Sequence, residues 1–263
     1  MGPPRTTSTA RRALGAAVIG LYLGVSTAHM SSLAWLLLVP RGLRERLASP
    51  LVVGLFARYS LAFAGLRVRL LGADHLPRDF RGYLYVANHE SALDIPLVGR
   101  YVPRPFVMKR SLARTPIGWG AIYAGSTTVD RSSAASRARS RVETIHTAAR
   151  FASVIVFSEG TFGPADGRLA APQLGLLRDA HAAGLAVVPL GHAGTRRALD
   201  GDRPPLRRGV EAVLVARPTV RPADFADADA FARACWSSVV EAVREARAAL
   251  APGWPYAADP GSD

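Results

Sequence analysis

Beyond residue 66 the chain alternates short apolar runs with stretches of helical periodicity, whereas the part before it is apolar almost throughout. Between Ala13 and Pro40 there is no formally charged residue. That run exceeds the ~20 residues needed to cross a bilayer, although Gly, Ser, Thr and His29 dilute it, and arginines flank both ends. A second apolar stretch, Leu51 to Leu66, is interrupted only by Arg58. Three readings fit the first run: a transmembrane anchor, a helical hairpin lying in the interface, or a cleaved signal peptide. The last is disfavoured because such signals carry only about 7 to 15 apolar residues. The basic flanks weigh against a buried core helix. Residues 1–12, with Pro3, Pro4 and a Ser/Thr cluster, read as a disordered basic leader, residues 13–66 as a membrane-anchoring helical segment appended to the fold, and residues 251–263 as a flexible tail.

Between these ends, strands are expected at Arg67–Gly72, Gly82–Ala87, Pro105–Met108, 125–131, Ala152–Phe157, Leu185–Leu190 and Val210–Ala216. Helices are expected from near Ala92 to Val102, over 132–150 with Val142 and Ile145 on the apolar side, over Leu174–Ala183, and over Asp224–Leu250. Ser111–Tyr123 is apolar but weakly helical. Strands alternating with helices argue for a single α/β sandwich around a mostly parallel or mixed sheet over residues 67–250, with an N-terminal membrane-associated helical segment.

Charge and cysteine content narrow the function classes. With 33 Lys plus Arg against 20 Asp plus Glu, the 263-residue chain carries a formal charge of +13, so anionic partners or an anionic supporting surface are expected. Placed beside the apolar segments, that charge favours an anionic membrane surface over nucleic acid, and Arg41, Arg44 and Arg46 are placed to meet headgroups. A lone cysteine, Cys235, excludes an internal disulfide framework and a multi-cysteine zinc site, and no metal or cofactor is expected.

The densest chemistry lies in residues 82–96, where a β-prone run ends in Asn88-His89-Glu90-Ser91 and is followed by Asp94. Ligand sites of open α/β sheets lie at such strand ends. Ser91 can cap a helix starting near Ala92, with Asp94 in its first turn. Residues five apart within one helix point about 140° away from each other, so His89 and Asp94 meet only if His89 is still in the loop. Asp94 would then fix the imidazole tautomer and leave the other nitrogen as a base.

Four blocks in order give the chain its resemblance to a known family. They are Asn88 to Asp94; Lys109-Arg110-Ser111-Leu112 through Pro116 and Gly118 to Val129-Asp130-Arg131; Val156-Phe157-Ser158-Glu159-Gly160-Thr161; and Val187-Val188-Pro189-Leu190. Together they resemble the glycerolipid acyltransferases that make phosphatidic acid from lysophosphatidic acid, over roughly residues 65–220. No nucleophile elbow, Walker loop, dinucleotide fingerprint or His-Glu-x-x-His motif competes with them.

The resemblance implies an O-acyltransferase with His89 as general base and Asp94 orienting it, the donor being acyl-CoA or acyl carrier protein as co-substrate. It implies acceptor binding by Lys109, Arg131, Glu159, Gly160 and Thr161, with Arg131 gripping a phosphate and Glu159 holding a hydroxyl or a cationic side chain. The active site would lie at the cytoplasmic face of the plasma membrane. Ser158 stands where the family has proline, and Phe162 where it has an arginine. A phosphate contact is thereby lost, which opens the acceptor to other lyso-lipids or hydroxylated lipids. The rivals from other classes are a non-catalytic basic binding protein and a hydrolase that uses the same His and Asp to activate water.

Overall fold

The computed structural model describes residues 6–250, so the tail at 251–263 and the first five residues of the expected leader lie outside the described residues. The rest of that leader is helical: α1 (Thr6–Ser32) begins inside it, because Ala10, Arg11, Arg12 and Ala13 are strong helix formers continuous with the apolar run. A tight turn at Ala34–Leu38 leads into one helical segment, Arg41–Ala64. It comprises α2 (Arg41–Ala48), a π-helical turn at Ser49–Gly54, where Pro50 supplies no N–H, and α3 (Leu55–Ala64).

The two stretches pack antiparallel. The Tyr22 and Ser60 hydroxyls lie 3.0 Å apart, Tyr22 stacks on Phe63 at 4.5 Å, and His29 Nε2 donates to the Leu51 carbonyl at 2.9 Å. Gly20–Leu38 and Arg41–Ala64 are each long and apolar enough to cross a membrane. Half of Arg41–Ala64 is nevertheless buried within the protein, and Leu61 and Ala64 belong to the core beneath the sheet. The segment is therefore a layer of the fold rather than the appendage its composition suggests. Arg41 is likewise engaged inside the protein, donating to Glu45 and Thr147 and lying 4.4 Å over Phe151.

The strands are β1 (Arg67–Leu71), β2 (Tyr83–Ala87), β3 (Val107–Lys109), β4 (Thr127–Val129), β5 (Val154–Phe157), β6 (Ala186–Ala193) and β7 (Glu211–Ala216). Five form a sheet in the order β1-β7-β6-β2-β5. The parallel pair β3-β4 continues it past β5 through the parallel Phe106–Ile155 bridge. β2 runs parallel to both β5 and β6, with Ala87 opposite Phe157 and Leu190, whereas β7 is antiparallel to β6 and parallel to β1. The sheet is mixed and mostly parallel, as the alternation of elements led one to expect.

The remaining helices are α4 (Asp94–Tyr101), α5 (Pro116–Tyr123), α6 (Ala134–Arg150), α7 (Gly175–Ala182), the short α8 (Thr195–Ala198) and α9 (Ala228–Ala248). Strand alternation divides the core into layers. Tyr85, Ala87, Ile155, Val188 and Leu190 face α3 and α4, while Leu84, Val86, Val154, Val156 and Val187 face α6, α7 and α9. Helix α6 does not present Val142 inward: that side chain is 71% exposed, and Ser140, Thr144, Thr147 and Ala148 are buried instead. The polar face turns in because Thr147 receives Arg41, and the Thr144 hydroxyl donates to the Ser140 carbonyl.

Strand β6 is buried along its whole length, with α9 lying across it. A Cβ on Gly191 would lie 2.3 Å from backbone atoms of Ala242 and Val243, so this crossing requires glycine. Gly191→Ala should destabilise the fold by ~1–3 kcal/mol through overpacking, read as a lowered urea midpoint. An unchanged midpoint would show that α9 does not approach β6 this closely.

Candidate active site

Strands β6, β2, β5, β3 and β4 run in the same direction and end on one edge of the sheet. The residues expected to form the site follow them: Asn88 to Asp94 after β2, Ser158 to Thr161 after β5, Lys109 and Arg110 at the end of β3, and Asp130 and Arg131 after β4. Helix α4 begins at Asp94 rather than near Ala92, and its N-cap position, Leu93, makes no side-chain cap. The Ser91 hydroxyl accepts from Leu93 N–H at 3.2 Å and donates to the Gly201 carbonyl at 3.2 Å. His89 thus stands in a loop, where the five-residue spacing required it to be.

Asp94 is fully buried, and its Oδ2 is the hub of that loop. It accepts from His89 Nδ1 at 2.8 Å, Glu90 N–H at 2.6 Å and Ser91 N–H at 2.8 Å. Burial alone would raise its pKa, but the field of His192, and then the hydrogen bond and field of His89, outweigh it and hold the carboxyl below the ordinary aspartate value. An ionised carboxylate can only accept, so Nδ1 of His89 carries the proton, and in the neutral imidazole the lone pair is therefore on Nε2. Two aromatic rings pack against the imidazole, Phe157 stacked at a centroid distance of 4.3 Å and Phe162 tilted at 4.5 Å.

Glu159 braces the same loop from β5. Its Oε1 accepts from His89 N–H at 2.7 Å and its Oε2 from Ala170 N–H at 2.5 Å. Each oxygen thus takes a backbone N–H and the residue is buried, so the carboxyl is tied first to the protein's own backbone. Gly160 turns the chain with φ of +67°, and Thr161 is exposed. Lys109 and Arg131 are exposed at the ends of the paired strands, where Lys109 lies opposite Val129. Asp130 accepts from the Ser132 hydroxyl at 2.7 Å and N–H at 3.1 Å; these bonds first, then the Arg110 and Lys109 charges, keep its pKa low.

The sequence reading missed His192, at the end of β6. Its Nε2 donates to the Asn88 carbonyl at 2.8 Å and lies 3.5 Å from Asp94 Oδ2. Asn88 returns the contact, accepting from His192 N–H at 2.9 Å and donating to its carbonyl at 3.1 Å. The signal was present: a histidine two residues past the fourth block, on a strand neighbouring β2. Glu90 was also missed as a buried carboxyl; burial raises its pKa, and Arg247 Nη2 lies 3.8 Å from its Oε1. Cys235 is buried among apolar residues, which pushes its thiol up to about 12 and disqualifies it as a nucleophile.

Burial also pushes Glu159 up to about 8, against the two N–H donors that favour its charged form. A carboxyl protonated in the fold contributes stability that is fully present below the ordinary value of 4.5 and is lost as pH rises through about 8. Glu159→Gln cannot titrate. Its urea midpoint, although lower because an amide NH2 cannot accept from an N–H, should fall less than that of the wild type across this window. Parallel declines would contradict a neutral Glu159.

Residues 67–193 match the protein-family model described as Acyltransferase. The chain is 30% identical over 185 residues to a 1-acyl-sn-glycerol-3-phosphate acyltransferase of Chlamydomonas reinhardtii, spanning 70% of this chain and 55% of that protein. It is 34% identical over 158 residues to the lyso-ornithine lipid O-acyltransferase of Pseudomonas aeruginosa, spanning 57% of this chain and 54% of that protein. The chain thus spans about half the length of the curated relatives it matches. The crystal structure of PlsC, the 1-acyl-sn-glycerophosphate (LPA) acyltransferase from Thermotoga maritima, has the same fold, with a TM-score of 0.70 at 23% identity over 88% of this chain and 99% of that one. Residues 67–193, the segment that bears His89, Asp94, Lys109, Arg131 and Glu159, belong to the acyltransferase family.

Proposed function

We propose that the protein moves a fatty acyl group from an acyl thioester, acyl-CoA or acyl carrier protein, to the hydroxyl of a lysophospholipid, with 1-acyl-glycerol-3-phosphate the foremost acceptor and phosphatidic acid the product. The observation that carries this reading is the 2.8 Å bond from His89 Nδ1 to the buried Asp94, which leaves Nε2 as a base at the sheet edge. His89 Nε2 takes the proton of the acceptor hydroxyl as its oxygen attacks the thioester carbonyl. The C–S bond breaks, and the imidazolium, stabilised by Asp94, returns the proton to the leaving thiolate. No acyl-enzyme is needed, so neither Cys235 nor a serine acts as nucleophile. Lys109 and Arg131 supply cationic groups for the acceptor phosphate, Arg131 through its two-pronged guanidinium. Glu159, Gly160 and Thr161 set the turn that bounds the acceptor side.

Phe162 favours a second reading of the acceptor. It lies against the His89 ring at 4.5 Å where the family resemblance calls for an arginine, so an apolar surface meets whatever approaches the base there. A lyso-lipid without a phosphate at that point, or another hydroxylated lipid, suits such a surface. Similarity to a lyso-ornithine lipid O-acyltransferase supports this reading.

Membrane association at the cytoplasmic face, through the N-terminal helices, completes the proposal. Leu21, Leu37, Leu38, Leu43 and Leu55 on these helices are exposed. The neighbouring Leu112, Trp119 and Ile122 are exposed too, and Arg110 and Arg114 flank Leu112.

His89→Ala should lower kcat for acyl transfer by about 10²- to 10⁴-fold, and Asp94→Asn should follow it through loss of the tautomer. Full activity in His89→Ala would sink the mechanism. Assays of a lyso-lipid panel assign the acceptor. Acid release from the thioester without any acceptor would identify a hydrolase instead. A high-salt wash should leave the protein on membranes, since apolar burial is not screened by salt; complete release would mean purely electrostatic attachment.

A further inference from the structure

Residues 196–207 form a cationic groove of about 450 Å³, lined by Arg196, Arg197, Arg203 and Arg207 with Asp200 as its acidic member. Arg196 is buried and anchored, donating to the Gly163 carbonyl and, at 3.2 Å, to Asp200, while Arg203 and Arg207 are exposed. The groove is tied directly to the His89 turn. Gly201 N–H donates to the Glu90 carbonyl at 3.2 Å, Ala92 N–H donates to the Gly201 carbonyl at 2.8 Å, and Gly163 N–H donates to the His89 carbonyl at 2.8 Å. Phe162 packs on Gly201 as well as on the His89 ring.

Topology sets this groove apart from the Lys109–Arg131 region. Along the sheet, β6 lies on one side of β2, and β5, β3 and β4 lie on the other. The groove follows β6; Lys109 and Arg131 follow β3 and β4. Cationic groups therefore flank His89 on both sides, and a transfer between two anionic substrates needs two such places. We propose that the groove at Arg196, Arg203 and Arg207 holds the phosphates of the acyl-thioester donor, the 3′-phosphate and diphosphate of coenzyme A. The assignment rests on the acyltransferase reading above. Guanidinium forks suit phosphate oxygens, and the link from Gly201 to Glu90 and Ala92 sets a donor held there against the base.

Calorimetry with the full chain tests binding without turnover. Wild type should bind coenzyme A at least about tenfold more tightly than phosphate-free pantetheine, and Arg203→Ala/Arg207→Ala should lose most of that preference. In turnover, the double variant should raise KM for acyl-CoA by about tenfold, with no matching rise in the acceptor KM. Equal affinity of the wild type for coenzyme A and pantetheine would overturn the assignment, and this outcome does not depend on how the variant folds. It is also overturned if the double variant keeps the preference. A penalty that follows the phosphate of the lyso-lipid would give the groove to the acceptor, and one confined to acyl carrier protein would give it to a protein surface; either outcome rejects coenzyme A. If no acceptor is acylated at all, the proposed function fails, while the coenzyme A affinities still decide the groove.

Discussion

One carboxylate oxygen, Oδ2 of Asp94, gathers the His89 imidazole and the N–H groups of Glu90 and Ser91 in a place fully closed to water. A charge buried there without partners would cost several kcal/mol. Three donors, each worth ~1.5–3 kcal/mol when bonded to a charged group, offset that cost and close the turn between β2 and α4. The same bonds that make the charge tolerable thus dictate where the imidazole stands and which of its nitrogens is protonated. His192, 3.5 Å away, adds to the field that keeps the carboxyl ionised.

The sheet delivers the other parts to this oxygen. Ala87 lies opposite Phe157 on β5 and Leu190 on β6, so the residues that follow these three positions emerge side by side. Glu159 arrives from one side to hold the His89 backbone, and His192 from the other to clasp Asn88. Phe157 and Phe162 fix the plane of the ring. The base is therefore held from both neighbouring strands, and the cationic residues stand farther out along the same edge.

Much of this was legible from residue pattern alone. Alternation in Arg67–Leu71 and the continuous apolar runs in Val154–Phe157 and Glu211–Ala216 mark strands, because a half-buried pleat leaves the first trace and a fully buried one the second. The loop position of His89 followed from helix geometry and its distance from Asp94. What stayed hidden depends on contacts distant in sequence. The brace that Glu159 gives the His89 loop stayed hidden because nothing local shows that the N–H groups of His89 and Ala170, 70 and 11 residues away, bond to its two oxygens. Val142 looked like a core residue because Arg41, 106 residues from Thr147, decides which face of α6 turns inward. The helical segment Arg41–Ala64 passed for an appendage because composition does not distinguish an apolar face that meets lipid from one that covers a sheet.

The central claim is that Asp94 holds His89 as the Nδ1–H tautomer with Nε2 unprotonated, and nitrogen-15 NMR of the imidazole reads this directly. Assigned by its loss in His89→Ala, the His89 signal of the neutral ring should show Nδ1 protonated and Nε2 carrying the lone pair, and this pattern should be lost in Asp94→Asn. A neutral His89 ring with its proton on Nε2 in the wild-type protein, or a tautomer indifferent to Asp94→Asn, would contradict the account.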